Sequence, residues 1–102
     1  MQFSELQNEI NKNMDRYSQH NNITVDENWA VLKLLEELGE FSQSVIIHRK
    51  QSRPEKYLPE TESKNEIAKE LADVIGMAIV CAKLFDIDLE EALNKKWIKR
   101  TS

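Results

Sequence analysis

Glu36, Glu37 and Glu40 stand together in Leu35-Glu36-Glu37-Leu38-Gly39-Glu40-Phe41, and Glu66, Glu70 and Asp73 recur later at four- and then three-residue steps. On a helix, residues three or four apart share a face, so Glu37 converges with Glu40 and Glu70 with Asp73. Two such pairs facing one another would form a cage of carboxylate oxygens. Like charges held that close repel, so without a cation the cage costs stability or forces protonation. A hard divalent cation removes that cost. Carboxylates with no His or Cys nearby in sequence suit magnesium, with manganese as a substitute, rather than zinc.

The competing reading is a solvated face, because 31% of the residues are charged and helical glutamates in such a chain usually face water. The flanking residues weigh against it. Leu34-Leu35-Glu36-Glu37-Leu38 and Leu71-Ala72-Asp73-Val74-Ile75 are strongly apolar, where a solvated face would be more broadly polar. Gly39 adds weight, since glycine inside a helix costs about 1 kcal/mol against alanine and so wants a packing or access reason.

These acids need helices to hold them, and the apolar spacing predicts four. Phe3, Leu6, Ile10, Met14 and Tyr17 recur at helical steps, with Ser4 and Gln7 as a capping box, giving a helix from about Ser4 to about Gln19. Thr24 followed by Glu27 marks a second start. Val31, Leu34, Leu35, Leu38, Phe41 and Val45 then form an apolar stripe that runs to about His48. Arg49 to Glu62 holds both prolines and reads as a polar surface connection. Ser63 with Glu66 restarts a helix that buries Ile67, Leu71, Val74, Ile75, Ala78, Ala82 and Phe85. Asp86-Ile87-Asp88 ends it and caps a last helix from about Leu89, which buries Leu89, Leu93 and Trp97 before the basic end Lys95 to Arg100. The expected architecture is all-α: one domain over residues 1–102, an antiparallel bundle of four main helices with two long central ones.

Composition narrows the function. Two glycines and two prolines leave little for sheet turns or Gly-rich phosphate loops. Eighteen acidic against fourteen basic residues, a net charge of −4, argues against a nucleic-acid module that needs a broad basic face. Cys81 is the sole cysteine, which excludes an intrachain disulfide and suits the core. Met1 to Ile10 has neither a basic start nor an apolar run, and no stretch approaches the ~18 apolar residues of a membrane span. A soluble cytoplasmic protein with no membrane partner is expected.

Glu36-Glu37-Leu38-Gly39-Glu40 followed by Glu70-Leu71-Ala72-Asp73 resembles the MazG-like all-α nucleoside triphosphate pyrophosphohydrolases. Their mark is Glu-Glu-x-x-Glu on one helix and Glu-x-x-Asp on the next. The likeness takes in Leu-Glu-Glu-Leu-Gly-Glu, Glu-Leu-Ala-Asp-Val-Ile and Asp86-Ile87-Asp88-Leu89-Glu90, and covers roughly Trp29 to Arg100. It implies that Glu37, Glu40, Glu70 and Asp73 bind magnesium and that Glu36, beside Glu37, orients or deprotonates water. The expected reaction cleaves a nucleoside triphosphate to the monophosphate and pyrophosphate, with house-cleaning of noncanonical nucleotides as the implied role.

The triphosphate brings about four negative charges, so basic side chains must help admit it. The resemblance points to Lys96 and Arg100, one turn apart near the C-terminus, with Lys95 and Lys99 as equally spaced rivals. Cations there also simply favour a helix C-terminus. Arg53, in the cluster Arg49, Lys50, Arg53 and Lys56, either closes over phosphates or is solvated loop charge. Asn28 and Trp29 are the implied base contacts, with core packing of Trp29 as the alternative. Relatives complete their sites at subunit contacts, and a thin bundle with stripes on several helices leaves apolar surface bare, so self-association as a dimer or tetramer is expected.

Two rivals stand beside this reading. A di-iron bundle expects Glu-x-x-His twice, whereas His20 and His48 are the only histidines and neither follows a glutamate at that spacing. His48 instead reads as a surface cation at a helix end. A noncatalytic helical interaction module would use the stripes for dimerisation and scatter the acids over different faces.

Overall fold

Gly39 and Gly76 both lie inside helices, so the chain closes its helix ends without glycine. The computed structural model describes residues 1–99, and among these there are four α-helices and no strand. They are α1 (Phe3–Asn21), α2 (Glu27–His48), α3 (Glu60–Leu84) and α4 (Leu89–Leu93), the last continuing as a π-helical turn, Asn94–Ile98. The first three close in the same way. Ile23 N–H donates to the Ser18 carbonyl at 3.0 Å, Gln51 N–H to Ile46 at 3.0 Å and Ile87 N–H to Ala82 at 2.8 Å. Each closure places a non-glycine residue in the left-handed region, Asn22 at φ 52°, Lys50 at φ 57° and Asp86 at φ 55°.

The helix starts differ from the sequence expectation in three places. Gln2, not Ser4, stands at the N-cap of α1 and makes no side-chain capping bond, so the Ser4–Gln7 box does not form. At α2 the Asp26 carboxylate accepts the Trp29 N–H at 2.8 Å, which starts the helix two residues beyond Thr24 on a better capping side chain. At α3 the Pro59 carbonyl accepts the Ser63 N–H at 2.9 Å, so the helix begins at Glu60 and Ser63 lies inside it. Asp88 does cap α4, accepting the Glu91 N–H at 3.0 Å. Between α2 and α3 the chain makes a 3-10 turn at Pro54–Lys56, and the Tyr57 hydroxyl lies 2.7 Å from the Lys50 carbonyl oxygen and 2.5 Å from that of Ser52, fastening the loop to itself.

The described residues sort into two compact units, Val31–Met77 and the combination of Met1–Ala30 with residues 78–99. The first is a helical hairpin. Glu37 meets Glu70 and Asp73 while His48, farther along α2, meets Ser63, earlier on α3, so the two helices run antiparallel. Glu37, Ser44, Ser63 and Met77 are its buried residues. In the other unit Ala30, Ile79, Val80 and Ala82 are buried, and the Tyr17 and Trp29 rings pack with centroids 6.3 Å apart, tilted by 44°. Cys81 is half-buried there, and burial pushes its thiol pKa up.

Several residues expected in the core are exposed in the single chain: Val31, Leu35 and Leu38 on α2, Leu71, Ile75 and Phe85 on α3, and Leu93 and Trp97 beyond. The reason is geometric. The α2 face turned to α3 carries Glu37 and Ser44, whereas Val31, Leu35 and Leu38, spaced four and three apart, line a neighbouring face. Among the described residues no helix is long and apolar enough to cross a membrane.

Candidate functional site

All five acids of the two motifs fall in the α2–α3 hairpin, in two groups joined by Glu37. One carboxylate oxygen each from Glu36, Glu37 and Glu40 lies within 4.8 Å of the others, and the same holds for Glu37, Glu70 and Asp73. Glu37 belongs to both groups. Glu37 and Glu40, like Glu70 and Asp73, stand a step of three apart, and this helical step, turned inward by antiparallel pairing, builds the arrangement. The acids are therefore not scattered over separate faces.

Glu37 is the most enclosed of them, with 8% of its surface exposed. Its Oε2, and Oε2 of Glu70, are buried with no hydrogen-bond partner among the described residues. Burial pushes the Glu37 carboxyl above its ordinary range, the negative charges of Glu40 and Asp73 push it further, and Lys33 opposes them. Glu70 is raised in the same way, first by burial and then by Glu40 and Asp73. Lys33 Nζ stands 3.2 Å from Glu36 Oε1 and 3.7 Å from Glu37 Oε1. Sequence reasoning passed over Lys33, although its place three and four residues before two glutamates is the usual signal for a helical ion pair.

A buried carboxylate oxygen without a donor is costly. Two of them, one on Glu37, which both three-oxygen groups share, and one on Glu70, fit a hard divalent cation, which takes oxygen ligands, and give a softer metal no nitrogen or sulfur.

Of the other expected site residues, Arg53 lies in the loop between α2 and α3, and Asn28, Trp29 and Lys96 belong to the other compact unit. Arg53 is exposed in the loop, its Nε 3.6 Å from Glu55 Oε1. Lys96 is exposed in the π-helical turn, Lys95 pairs with Glu91 at 3.2 Å, and Arg100 lies outside the described residues. Asn28 is exposed, while Trp29 is half-buried against Tyr17. His48 is not the free surface cation that was expected: its Nδ1 lies 2.6 Å from the Ser63 hydroxyl, which itself donates to the Glu60 carbonyl at 3.1 Å.

Comparison with known proteins gives one result. A family model described as the MazG nucleotide pyrophosphohydrolase domain matches residues 26–102, a span that starts at the Asp26 cap of α2 and contains every acid of the cluster. No curated protein and no solved structure matches the chain.

Proposed function

The chain belongs to the MazG nucleotide pyrophosphohydrolase family, and from that premise we propose that it hydrolyses a nucleoside triphosphate to the monophosphate and pyrophosphate, with magnesium held by Glu37, Glu40, Glu70 and Asp73. The observation that carries this reading is Glu37, a buried carboxylate shared by both oxygen groups and left with an unpartnered oxygen. A noncatalytic module has no use for such an arrangement, which lowers the stability of the free chain.

A polyphosphate and a bare carboxylate cluster repel each other. Divalent cations, when bound, supply the charge that lets the polyphosphate approach and acidify the attacking water. The chain's own residues do the rest. Glu36 is exposed at the edge of the cluster, and Lys33 holds its carboxylate at 3.2 Å. It accepts the proton of the water as the new oxygen–phosphorus bond forms at the α-phosphorus. The bond from that phosphorus to the α–β bridging oxygen breaks, and its electron pair leaves with pyrophosphate. Holding water and phosphate in line supplies much of the rate.

The protein works as a self-associated species in this reading, because Val31, Leu35, Leu38, Leu71 and Ile75 leave an apolar face on the hairpin exposed. A second copy of the chain covers it. The reaction is tested by incubating purified protein with magnesium and a panel of ribo-, deoxy- and modified triphosphates. Pyrophosphate release is expected, and orthophosphate release would overturn the position of cleavage. Calorimetry with magnesium should show binding to the wild type that Glu40→Gln and Asp73→Asn lose.

A further inference from the structure

The acid cluster opens into a second space within the same hairpin. Glu40 and Glu70 form part of the wall of a cavity of about 270 Å³. Gln43 and Ile47, one and two turns farther along α2, line it too, with Glu66 from the first half of α3 and Leu58 from the connecting loop. Leu58 directly follows Tyr57, whose hydroxyl fastens the loop to the Lys50 and Ser52 carbonyls, so its place at the rim is held by the loop's own bonding.

Each property of this space selects against phosphate and for a flat, uncharged group. Glu66 adds negative charge next to Glu70 without belonging to either three-oxygen group, and Lys69 reaches it only at 3.8 Å across exposed surface. Ile47 and Leu58 provide apolar walls for a ring, the usual lining of a small-molecule site. The volume falls below the ~300–1,000 Å³ of pockets that enclose a drug-sized ligand, so it takes one part of a nucleotide rather than all of it. Continuity through Glu40 and Glu70 makes that part the end opposite the phosphates. The polar groups facing the cavity are rich in acceptors: an ionised carboxylate only accepts, the Gln43 amide both donates and accepts, and the Ser44 and Ser63 hydroxyls, which also line it, donate to the Phe41 and Glu60 carbonyls.

We propose that this cavity is the nucleobase subsite, with Glu66 and Gln43 reading the base edge and Leu58 covering the ring, and that it favours bases with an exocyclic amino group, such as cytosine, over uracil. The proposal rests on the pyrophosphohydrolase reading for the orientation of the nucleotide. Losing a hydrogen bond that a polar site is built to make changes discrimination by tenfold or more.

The test compares kcat/KM for dCTP and dUTP, with magnesium, in the wild type and in Glu66→Gln. A second readout is free of hydrolysis: NMR of the side-chain amides, methyls and indoles during titration with dCMP and magnesium. Expected are a preference for dCTP of roughly tenfold or more, its collapse in Glu66→Gln, and dCMP shifts at Gln43, Ile47 and Leu58. An unchanged ranking in Glu66→Gln, or shifts at Trp29 and Asn28 in place of the cavity residues, overturns the subsite and leaves the reaction standing. If no triphosphate releases pyrophosphate, the reaction is overturned, and the dCMP shifts alone decide the cavity: present they support it, absent they sink it.

Discussion

Glu37 is a carboxylate that the free chain stabilises better when it is protonated. Its folded pKa is raised above the ordinary 4.5, and so is that of Glu70, in both cases first by burial. The sign follows from linkage: their stabilising contribution is complete below about 4.5 and is lost as pH rises through the elevated folded values. The metal-free protein should therefore melt lower at neutral pH than in mild acid. Thermal melts in a chelator across that range check this, and a flat profile would refute it. If the proposed magnesium site exists, the ion at a hundredfold its dissociation constant should add about 2.7 kcal/mol, and at ~4–8 °C per kcal/mol for a domain of this size that is an expected rise of roughly 10 °C or more. Glu37→Gln should raise the melting temperature of the metal-free protein at neutral pH and remove most of the magnesium effect. At this scale the sequence was informative: Glu37 with Glu40 and Glu70 with Asp73 were readable from spacing and apolar flanks, Glu36 entered through the family resemblance, and these acids fall into two three-oxygen groups that share Glu37. Lys33, lying outside the motif, was missed, and only the folded hairpin reveals Gln43 and Leu58 beside the acids.

At the scale of elements, the helices were legible and their starts less so. Apolar recurrence fixes where a helix must exist, but the first turn goes to whichever nearby group best satisfies the free N–H groups, as Asp26 and the Pro59 carbonyl show. The C-termini were legible without a glycine signal: helices expected to end at about Gln19, at about His48 and at Asp86 end at Asn21, His48 and Leu84, with Asn22, Lys50 and Asp86 in the left-handed position that glycine usually fills. Lys50 is the least suited of the three, since a left-handed L-residue costs roughly 1–2 kcal/mol and glycine returns about 0.5–1 of that as chain entropy. Lys50→Gly, which keeps the carbonyl that Tyr57 uses, should stabilise the protein by about 0.5–1 kcal/mol in urea unfolding. Gly39 invites the opposite question. A Cβ there would meet nothing within 4 Å, so the single chain supplies no packing reason for it. Gly39→Ala should add about 1 kcal/mol of stability. Loss of pyrophosphate release in that variant would show that substrate or a second copy comes against the Gly39 backbone, and full activity would show that nothing does.

At the scale of the molecule, periodicity identified the stripes and could not say what covers them. A helix pattern marks residues as apolar without stating whether the same chain or another supplies the partner, and Val31, Leu35, Leu38, Leu71 and Ile75 stay exposed in the single chain. Light scattering should give a multiple of the 11.9 kDa chain mass, and Leu35→Lys with Ile75→Lys should return it to one chain. A monomeric wild type would defeat the self-association reading. The acids add a consequence for the lifetime of the protein. If the proposed cation is what partners the buried carboxylate oxygens of Glu37 and Glu70, resistance to proteases should rise with the free cation around the protein. Chelation should open the hairpin to trypsin at lysines and arginines of α2, α3 and their loop well before the bulk of the chain melts. Turnover of the enzyme would then follow the same ion as its chemistry, clearing copies that lack the means to work.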